Sequence, residues 1–598
     1  MRRRLSCFEL LPKHIGLITA ICLLATGGCT QPDPVEEAGT SYKQAHDLLE
    51  RNHPDQAIPY YNTALRLNPK FVAAFNERGR ARLLAGDKAG STADFDSAIE
   101  LDPHFAEARC NRGLNRIDAG DLSGALEDLN AAIAANPKLT YGYINRGLLH
   151  SRRDEFKEAI DDFAAAIDLS PDDPTIYCNR ADARTRMPNK DNAKEKDLEG
   201  ASADYSKAIE LAEKQRDGKA IAAVAYNGRG LISAARGKYG EAINDFNKAI
   251  DRDPKLVAAY INRGDARKSQ NDLTAALEDL NKAVALDSQS AAAFRTRGEI
   301  HLAQSMLREA LDDFGRAIKL NPNLAVAHDG RARTLRAQAN TDRDLSPSDR
   351  VNLLKAALES FDRSIALDPH SLAGYSNRAM AKAQAGDFSG AVSDFSQAIE
   401  LNPDDARLYL NRGFVRRGWG EIRLREIEHD NGHNKDGTIE LDGVAKSHFK
   451  DAIDDFNKAI KLDRNIPLVF EHRGEAKRLL GDLDGAIEDY NLQIQVKPDS
   501  ATAYNNRATA YKDKGDTSKA LQDYTRAIEL NRQDATAYFN RGLLRLEIAL
   551  SSKSSELEAQ QDFDIGLRLN PSMRPQVEAI IRAIQDRNRS QARNAASR

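Results

Sequence analysis

Apolar and small side chains recur along the chain at helical spacing, in pairs of short segments separated by polar turns. The stretch from Thr140 to Asp173 shows this pattern most clearly. Its first segment places apolar or small residues three and four positions apart, and a second segment with the same spacing starts after Asp154. This period indicates helices rather than strands. Pro171 ends the second segment, because the residue before a proline is disfavoured in the α region. The stretch is therefore predicted to be a helical hairpin.

This hairpin is one copy of a 34-residue repeat that returns some thirteen more times between Ala38 and Met573. A fixed period of this size is the sequence signature of a repeat architecture. With positions numbered from Thr140, small residues at positions 8 and 20 oppose large residues at positions 4 and 24, so the two helices can interdigitate. One hairpin cannot bury both of its faces, and successive copies are expected to stack on one another.

The pattern resembles the tetratricopeptide repeat, which has an aromatic residue at position 4, Gly or Ala at 8, Ala at 20 and 27, an aromatic residue or Leu at 24, and Pro at 32. The third copy matches it with Gly113, Ala125, Leu129, Ala132 and Pro137. The tenth copy matches it with Tyr375, Ala379, Ala391, Phe395, Ala398 and Pro403. The resemblance implies an all-α fold, a right-handed α-solenoid superhelix of about fourteen helix-turn-helix repeats over residues 38–573. A cap helix from Pro575 to Asn588 and a polar tail are expected within residues 574–598.

A charged pair of positions accompanies the repeat. Position 7 is arginine in thirteen copies, at Arg78, Arg112, Arg146, Arg180, Arg229, Arg263, Arg297, Arg331, Arg378, Arg412, Arg473, Arg507 and Arg541. Position 23 is aspartate in twelve copies, at Asp94, Asp128, Asp162, Asp204, Asp245, Asp279, Asp313, Asp394, Asp455, Asp489, Asp523 and Asp562. The two positions lie on facing stretches of a hairpin, so we expect ion pairs that are exposed and add little stability each. The alternative is a row of arginines that binds an acidic ligand.

Position 6 carries the candidate binding residues. It is asparagine in eight copies, at Asn111, Asn145, Asn179, Asn262, Asn377, Asn411, Asn506 and Asn540. The resemblance to tetratricopeptide arrays implies that this position faces the concave groove, where asparagines bind an extended peptide. An amide is both donor and acceptor and can hold a peptide backbone of any sequence. The unbroken run Asn111, Asn145 and Asn179 is the best candidate. The alternative is a family preference with no ligand attached.

Position 5 excludes one known site and holds two cysteines. The carboxylate clamp of chaperone-binding tetratricopeptide domains requires lysine there, whereas this chain has Asn76, Cys110, Ile144, Cys178, Asn227 and Ile261. Cys110 and Cys178 lie two repeats apart, which is about 20 Å if each repeat advances about 10 Å. A disulfide requires Cα atoms within about 7 Å, so both are predicted to be thiols.

The spacing of the position-7 arginines locates three insertions, near residues 187–200, 338–350 and 418–448. Each is predicted to lengthen the turn between the two helices of a repeat. Insertions grouped on one edge can decorate a binding rim, and the alternative is that such turns tolerate added residues cheaply. The third insertion holds Trp419, the only tryptophan, and we expect a mobile hairpin that touches a partner through this side chain.

The third insertion also contains side chains of the types that bind metals: His429, Asp430, His433, Asp436 and His448. When the segment is aligned with a calcium-binding loop, Gly432 and Gly443 stand where the first and last ligands are required. Neighbouring Asn-Gly and Asp-Gly pairs are typical of turns. No metal site is predicted here, and no cofactor is predicted anywhere in the chain.

The chain begins with the layout of a secretory signal. A basic leader precedes an apolar run from Ile15 to Ala25, which is too short to span a bilayer comfortably. Cys29 follows two glycines, and this arrangement resembles a bacterial lipoprotein signal in which Cys29 is lipidated, although Thr26 stands where that signal usually has Leu. Residues 1–28 are then the signal peptide and residues 29–37 a tether. The alternatives are an ordinary signal peptide and an uncleaved anchor.

Charge and motif content narrow the function. Arginine and lysine number 86 against 90 acidic residues, a formal net charge of −4, which disfavours nucleic-acid binding. The sequence contains no P-loop, nucleophile elbow, HExxH or paired-cysteine zinc motif, so neither an enzyme nor a small-molecule substrate is expected. We expect a lipid-anchored scaffold on the periplasmic side of the cell envelope, at the outer membrane, that binds protein segments. The alternatives are a regulatory subunit of an envelope enzyme and a soluble or inner-membrane-anchored adaptor.

Overall fold

The computed structural model describes residues 33–188, 194–431, 440–466, 468–548, 553–575, 577–579 and 581–582. Residues 1–28, which were assigned to the signal peptide, and Cys29 lie outside these ranges, as do His433, Asp436 and the residues from 583 onward. The described ranges contain twenty-eight α-helices between Pro34 and Leu569, one 3₁₀ turn, further helical residues between 574 and 582, and no strand. The predicted all-α class of helix-turn-helix repeats is therefore confirmed.

The chain divides into two compact units, the first ending at Gln304 and the second beginning at Ser305. The helices of the first unit are α1 (Pro34–Glu50), α2 (Pro54–Leu67), α3 (Val72–Leu84), α4 (Lys88–Leu101), α5 (Ala106–Ala119), α6 (Leu122–Ala135), α7 (Thr140–Arg152), α8 (Phe156–Leu169), α9 (Pro174–Arg186), α10 (Lys194–Lys214), α11 (Lys219–Ala235), α12 (Tyr239–Arg252), α13 (Val257–Ser269), α14 (Leu273–Leu286) and α15 (Ala291–Ala303). From α1 to α14, each odd-numbered helix packs against the even-numbered helix that follows it, and each hairpin packs against the next.

The second unit continues the same arrangement. Its helices are α16 (Leu307–Leu320), α17 (Ala325–Thr341), α18 (Pro347–Leu367), α19 (Leu372–Gln384), α20 (Phe388–Leu401), α21 (Ala406–Asn431), α22 (Gly443–Leu462), α23 (Val469–Leu479), α24 (Leu483–Val496), α25 (Ala501–Asp513), α26 (Thr517–Leu530), α27 (Ala535–Ile548) and α28 (Lys553–Leu569). The odd-numbered helix is the first helix of each repeat and the even-numbered helix is the second.

The hairpin α7–α8 shows why these residues pack as they do. Phe163 and Ala159 on α8 are fully buried. A Cβ atom at Gly147 of α7 would lie 2.8 Å from the Phe163 ring, so only glycine allows this approach. The turn between two helices is equally specific in the preceding hairpin: Gly120 has φ of 86°, and the Asp121 carboxylate accepts the Gly124 amide at 2.9 Å. Glycine tolerates this left-handed backbone, and aspartate caps the next helix.

The first helix begins earlier than the tether predicted over residues 29–37 allows. Helix α1 starts at Pro34, so the last four residues assigned to the tether are helical. The local sequence explains this start, because the Asp33 side chain accepts the Val35 amide and Pro34 occupies the first turn. Glu36 and Glu37 lie in the same turn, where their negative charges stabilise the helix by interacting with the positive end of its dipole.

Where the structure describes the insertions, they lengthen the adjoining helices. The second helices α10, α18 and α22 have 20 or 21 residues, whereas the regular second helix α8 has 14, and the first helix α21 has 26 residues, whereas the regular first helix α7 has 13. The prediction of a mobile hairpin at Trp419 is wrong for this side chain. Trp419 lies within α21 and stacks on His448 of α22 at 4.0 Å between ring centroids, with Phe388 at 6.4 Å on a neighbouring helix. Trp419 is half-buried and holds the two long helices together.

The C-terminal end of the array agrees with the predicted cap as far as it is described. A 3₁₀ turn spans Pro571–Met573, and residues 574–575, 577–579 and 581–582 are helical. Val577 is buried in a cluster with Phe539 and Phe563, so this segment covers the end of the last hairpin. Of the helices that the structure describes, none has the length and apolar character needed to cross a membrane.

Candidate functional site

The position-7 arginines, here called the arginine row, form three-way clamps. Arg112 on α5 donates Nε and Nη2 to the two carboxylate oxygens of Asp128 on α6, at 2.8 and 2.5 Å. Its Nη1 donates to Asp96 on α4 of the preceding repeat at 2.7 Å. The hydrogen bonding of Arg112 to the Asp128 carboxylate is the main cause that raises the pKa of Arg112. The arginine therefore joins the two helices of its own repeat to the repeat before it.

The same bidentate pair recurs through both units. It links Arg78–Asp94, Arg146–Asp162, Arg180–Asp204, Arg229–Asp245, Arg263–Asp279, Arg378–Asp394, Arg412–Asp455, Arg473–Asp489, Arg507–Asp523 and Arg541–Asp562. The predicted pairing is confirmed, but the expectation of exposed pairs is wrong. Asp128 is 2% exposed, and it takes a second cation, Arg116, at 2.9 Å. The arginines that make these pairs bind carboxylates of the fold and are not available to an acidic ligand.

One repeat has serine in place of the aspartate, and its arginine lies in a different environment. Ser360 occupies position 23 on α18, and its hydroxyl donates to the Ala356 carbonyl oxygen of the same helix. Arg331, the position-7 arginine of this repeat, is exposed. The burial of the arginine side chain thus depends on the facing carboxylate and not on its place in the repeat.

The eight position-6 asparagines, here called the asparagine row, lie on the first helices of their repeats. Asn145 is 9% exposed, and the other seven are half-buried. Six of them donate the side-chain amide to the position-5 side chain of the preceding repeat: Asn111 to Asn76 at 2.8 Å, Asn145 to the Cys110 sulfur at 3.2 Å, Asn262 to Asn227 at 2.9 Å, Asn377 to Asp329 at 3.1 Å, Asn506 to Glu471 at 3.5 Å and Asn540 to Asn505 at 3.1 Å. The row therefore links adjacent repeats.

The other two asparagines of the row, Asn179 and Asn411, do not make this link to the preceding repeat. Within the described residues, the side chains of Asn179 and Asn411 make no hydrogen bond. Ile144, at position 5 before Asn179, has no acceptor to offer. Ser376, at position 5 before Asn411, gives its hydroxyl hydrogen to the Leu372 carbonyl oxygen. The apolar Ile144 thus accounts for the missing link at Asn179, whereas the Ser376 hydroxyl keeps its acceptor capacity and does not by itself account for Asn411.

In the second unit, two asparagines of the row line a pocket of about 390 Å³. The lining side chains all come from first helices, α21, α23, α25 and α27: Arg417, Glu471, His472, Glu475, Arg478, Thr502, Asn505, Asn506, Thr509 and Asn540. They occupy positions 2, 5, 6, 9 and 12 of successive repeats. The structure thus brings Asn506 and Asn540 together with charged side chains that the sequence did not single out.

Most charges in this pocket are already matched. Arg417 pairs with Glu421 at 3.0 Å, and Arg478 pairs with Glu475 at 2.8 Å and with Asp513 at 2.7 Å. Burial is the largest single influence on Glu475 and opposes its ionisation, but the hydrogen bond and charge of Arg478 together with the Tyr490 hydroxyl and the charge of Arg417 outweigh it, and the pKa of Glu475 is lowered. The Arg478–Asp513 pair joins α23 to α25, whereas the other two pairs lie within α21 and within α23, and together the three leave little charge for a ligand.

Glu471 and His472 differ from these pairs. No lysine or arginine of the described residues lies within ion-pair distance of Glu471, and burial raises the pKa of this carboxyl. Burial lowers the pKa of His472 to about 4, so this imidazole is neutral near pH 7. His472 meets the Phe414 ring edge-on at 5.3 Å between centroids, and Phe414 is 42% exposed beside the pocket.

The acceptors that bind the asparagine row lie at position 5, where the sequence predicted the absence of a lysine clamp and two thiols but no link between repeats. The signal was present as the recurrence of Asn, Asp, Glu or Cys at position 5 when the next repeat has Asn at position 6. Cys110 and Cys178 are both buried thiols, as predicted. Within the described residues no three His, Cys, Asp or Glu side chains gather as a metal site would need.

Comparison with known families identifies the repeat. Models described as Tetratricopeptide repeat match residues 42–104, 110–174 and 501–534. A model described as TPR repeat matches residues 230–269, 264–305, 380–416 and 474–515. Together these stretches cover about half of the chain.

Individual relatives are more distant. The chain is 32% identical to the mitochondrial import receptor subunit TOM70 of Homo sapiens and of Rattus norvegicus over 103 residues, which is 15% of this chain and 16% of those proteins. Among solved structures, it is similar to the APC/C hetero-tetramer Cut9-Hcn1, with 15% sequence identity and a TM-score of 0.47. That match covers 86% of this chain and 98% of the other chain. It is also similar to the structure of yeast Tom70, with 16% sequence identity and a TM-score of 0.34. That match covers 81% of this chain and 96% of yeast Tom70. These likenesses carry no information about a ligand of this chain.

Proposed function

The chain belongs to the tetratricopeptide repeat family, and from this membership we propose that it is a non-catalytic scaffold that binds extended segments of other proteins along its asparagine row. The repeat fold supports a role in protein interaction. We further propose that a lipid on Cys29 holds the scaffold at the cell envelope, on the periplasmic side of the outer membrane.

The observation that carries the binding proposal is the spare capacity of the asparagine row. Where Asn111 donates one N–H to Asn76, its amide keeps a second N–H and the carbonyl oxygen. Asn179 and Asn411 keep the whole amide within the described residues. Position-6 amides recur at a constant spacing of 34 residues at Asn111, Asn145 and Asn179, and the donors and acceptors of such a run suit the backbone of an extended segment.

The anchor proposal is supported by the sequence and by the start of the array. The leader and Cys29 resemble a lipoprotein signal, and helix α1 begins at Pro34, so Asp33 is the last residue before the folded array. Labelling cells with a radioactive fatty acid tests this. We expect label on the wild-type chain and none on Cys29→Ser, and an unlabelled wild-type chain would contradict the anchor.

The groove is tested by capturing partners from detergent-solubilised envelope with the full chain as bait. The informative variant is Asn179→Ala combined with Asn411→Ala, because these two amides take no part in the links between repeats. We expect it to retain less partner and to keep the wild-type melting temperature. The matched control is Gln289→Ala, which removes an exposed amide from a turn.

The identity of the captured proteins separates the candidate functions. Several unrelated envelope proteins that depend on the two asparagines support a scaffold. One enzyme, captured alone and altered in activity by the chain, supports a regulatory subunit instead. Equal capture by the wild-type chain and the double variant means that the asparagine row is not the binding surface.

A further inference from the structure

We propose that the pocket on α21, α23, α25 and α27 is a subsite for the positively charged side chain of a lysine or arginine in a bound protein segment, with Glu471 as its counter-charge. The inference rests on the proposed function, since the basic side chain belongs to a segment that occupies the asparagine row. It adds what that row alone cannot supply, a preference for one type of side chain.

Charge matching singles out Glu471. Both arginines of the pocket are paired, Arg417 with Glu421 and Arg478 with Glu475 and Asp513. In the part of the chain that the structure describes, Glu471 has no cation within ion-pair distance, and its one hydrogen bond is a long one from Asn506, 3.5 Å from Nδ2 to Oε1. A carboxylate accepts about four hydrogen bonds, so Glu471 has unused capacity.

The neighbouring amides point toward this carboxylate. Asn540 donates to Asn505 at 3.1 Å, Asn505 donates to Asn506 at 3.5 Å, and Asn506 donates to Glu471. The chain of amides crosses the α25 and α27 side of the pocket and ends at the charge. A segment that uses Asn506 and Asn540 for its backbone would therefore place a side chain beside Glu471.

The other walls favour a basic side chain over a small cation. A metal ion requires several oxygen ligands, and Glu475 is already occupied by Arg478 and by the Tyr490 hydroxyl at 3.0 Å. His472 is neutral and does not repel a cation near pH 7. Phe414 carries the Arg417 guanidinium 5.5 Å from its ring centroid and meets His472 edge-on, and the 42% of this residue that stays exposed offers an apolar surface for the aliphatic stem of lysine or arginine. The volume of about 390 Å³ is within the range of ligand pockets.

Anionic occupants are disfavoured by the same contacts. The Nε atom of Arg417 has no hydrogen-bond partner, but it is fully buried and out of reach of a ligand. The Nη1 atom of this guanidinium pairs with Glu421 at 3.0 Å. An acidic side chain in the pocket would approach Glu471 without a free arginine to offset the repulsion.

The experiment is a selection of random short peptides on the immobilised full chain, run in parallel on Glu471→Gln. The matched control is Glu488→Gln, which makes the same charge change at an exposed site on α24 of the same repeat. We expect one position of the selected peptides to be enriched in Lys and Arg with the wild-type chain and with Glu488→Gln, and this enrichment to be lost with Glu471→Gln.

A selected peptide then gives the quantitative test. Replacing its basic residue by Gln is expected to weaken binding to the wild-type chain by about tenfold, as for a close charge pair, and to leave binding to Glu471→Gln unchanged. Equal weakening on both proteins, or selected peptides without a required basic residue, overturns the subsite and leaves the proposed function standing. A selection that returns no binding peptide overturns the proposed function itself. Binding of free arginine amide as tight as that of the peptide assigns the pocket to a small amine and overturns the protein-segment subsite.

Discussion

The arginine row and the asparagine row lie one residue apart on the same helices, yet they use their polar groups differently. Most of the paired arginines give three N–H groups to carboxylates or to other oxygen acceptors of the second helices, as Arg112 does with Asp128 and Asp96. Each asparagine gives at most one N–H to its neighbour, as Asn111 does with Asn76. The first row is largely saturated and the second is not.

The difference shows that a residue type can recur along a repeat array for two reasons. A buried charge must be matched in every repeat, because an unpaired buried carboxylate costs several kcal/mol, so arginine and aspartate recur together. An amide can be satisfied by a neighbour, by water or by a ligand, so its partners vary from Asn76 to Cys110 to Glu471. The row with varied partners is where this scaffold can acquire specificity.

The strongest test of this comparison removes a buried partner and an exposed partner of the same arginine. Asp128→Ala leaves Arg112 and Arg116 without their shared buried carboxylate, and we expect a loss of about 3–5 kcal/mol of local stability. Asp96 is 46% exposed, and Asp96→Ala should cost no more than about 1 kcal/mol. Since repeat arrays open locally, the measurement is hydrogen exchange of α5 and α6. Equal losses in the two variants would show that burial is not what distinguishes the pairs.

The second test compares two arginines at the same repeat position. Arg146→Ala leaves Asp162 with only the more distant His150, 3.8 Å away, and should cost about 2–3 kcal/mol, the penalty for a buried group that loses its charged hydrogen bonds. Arg331 faces Ser360 and is exposed, so Arg331→Ala should change stability by less than about 0.5 kcal/mol. Hydrogen exchange of the hairpins α7–α8 and α17–α18 provides the measurement. A large effect at Arg331 would contradict the dependence on the facing carboxylate.

The sequence was sufficient to predict the features that depend on residues within one repeat. Proline at position 32 and the helical spacing predict the hairpins, and positions 7 and 23 predict the Arg112–Asp128 pair. Burial of Asp128 was not predictable from spacing, because it depends on the stacking of the preceding repeat. The Asn-Gly and Asp-Gly pairs after Trp419 favour turns and led to the prediction of a hairpin, but arginine and glutamate directly after Trp419 are good helix formers, and Trp419, within α21, stacks on His448. The asparagine links were missed because they join residues 35 apart in different repeats.

The third test separates the two kinds of asparagine. Asn145→Ala removes the hydrogen bond to the Cys110 sulfur and should destabilise the contact between α5 and α7 by about 1 kcal/mol. Asn179→Ala removes no hydrogen bond within the described residues and should be close to neutral. Hydrogen exchange of α5 and α7 for the first variant, and of α7 and α9 for the second, tests this. A neutral Asn145→Ala would mean that the asparagine row does not hold the repeats together.

The smallest expected effect is a change in the reactivity of Cys110. Burial raises the pKa of the Cys110 thiol to about 12, so the folded protein should react slowly with iodoacetamide at pH 8, through rare local opening. If the hydrogen bond from Asn145 opposes that opening by about 1 kcal/mol, Asn145→Ala should speed labelling of Cys110 about fivefold. Asn179→Ala is the control and should leave the rate unchanged. Mass spectrometry of the Cys110 peptide gives the rate, and equal rates in all three proteins would show that the amide adds nothing to the link between the two repeats.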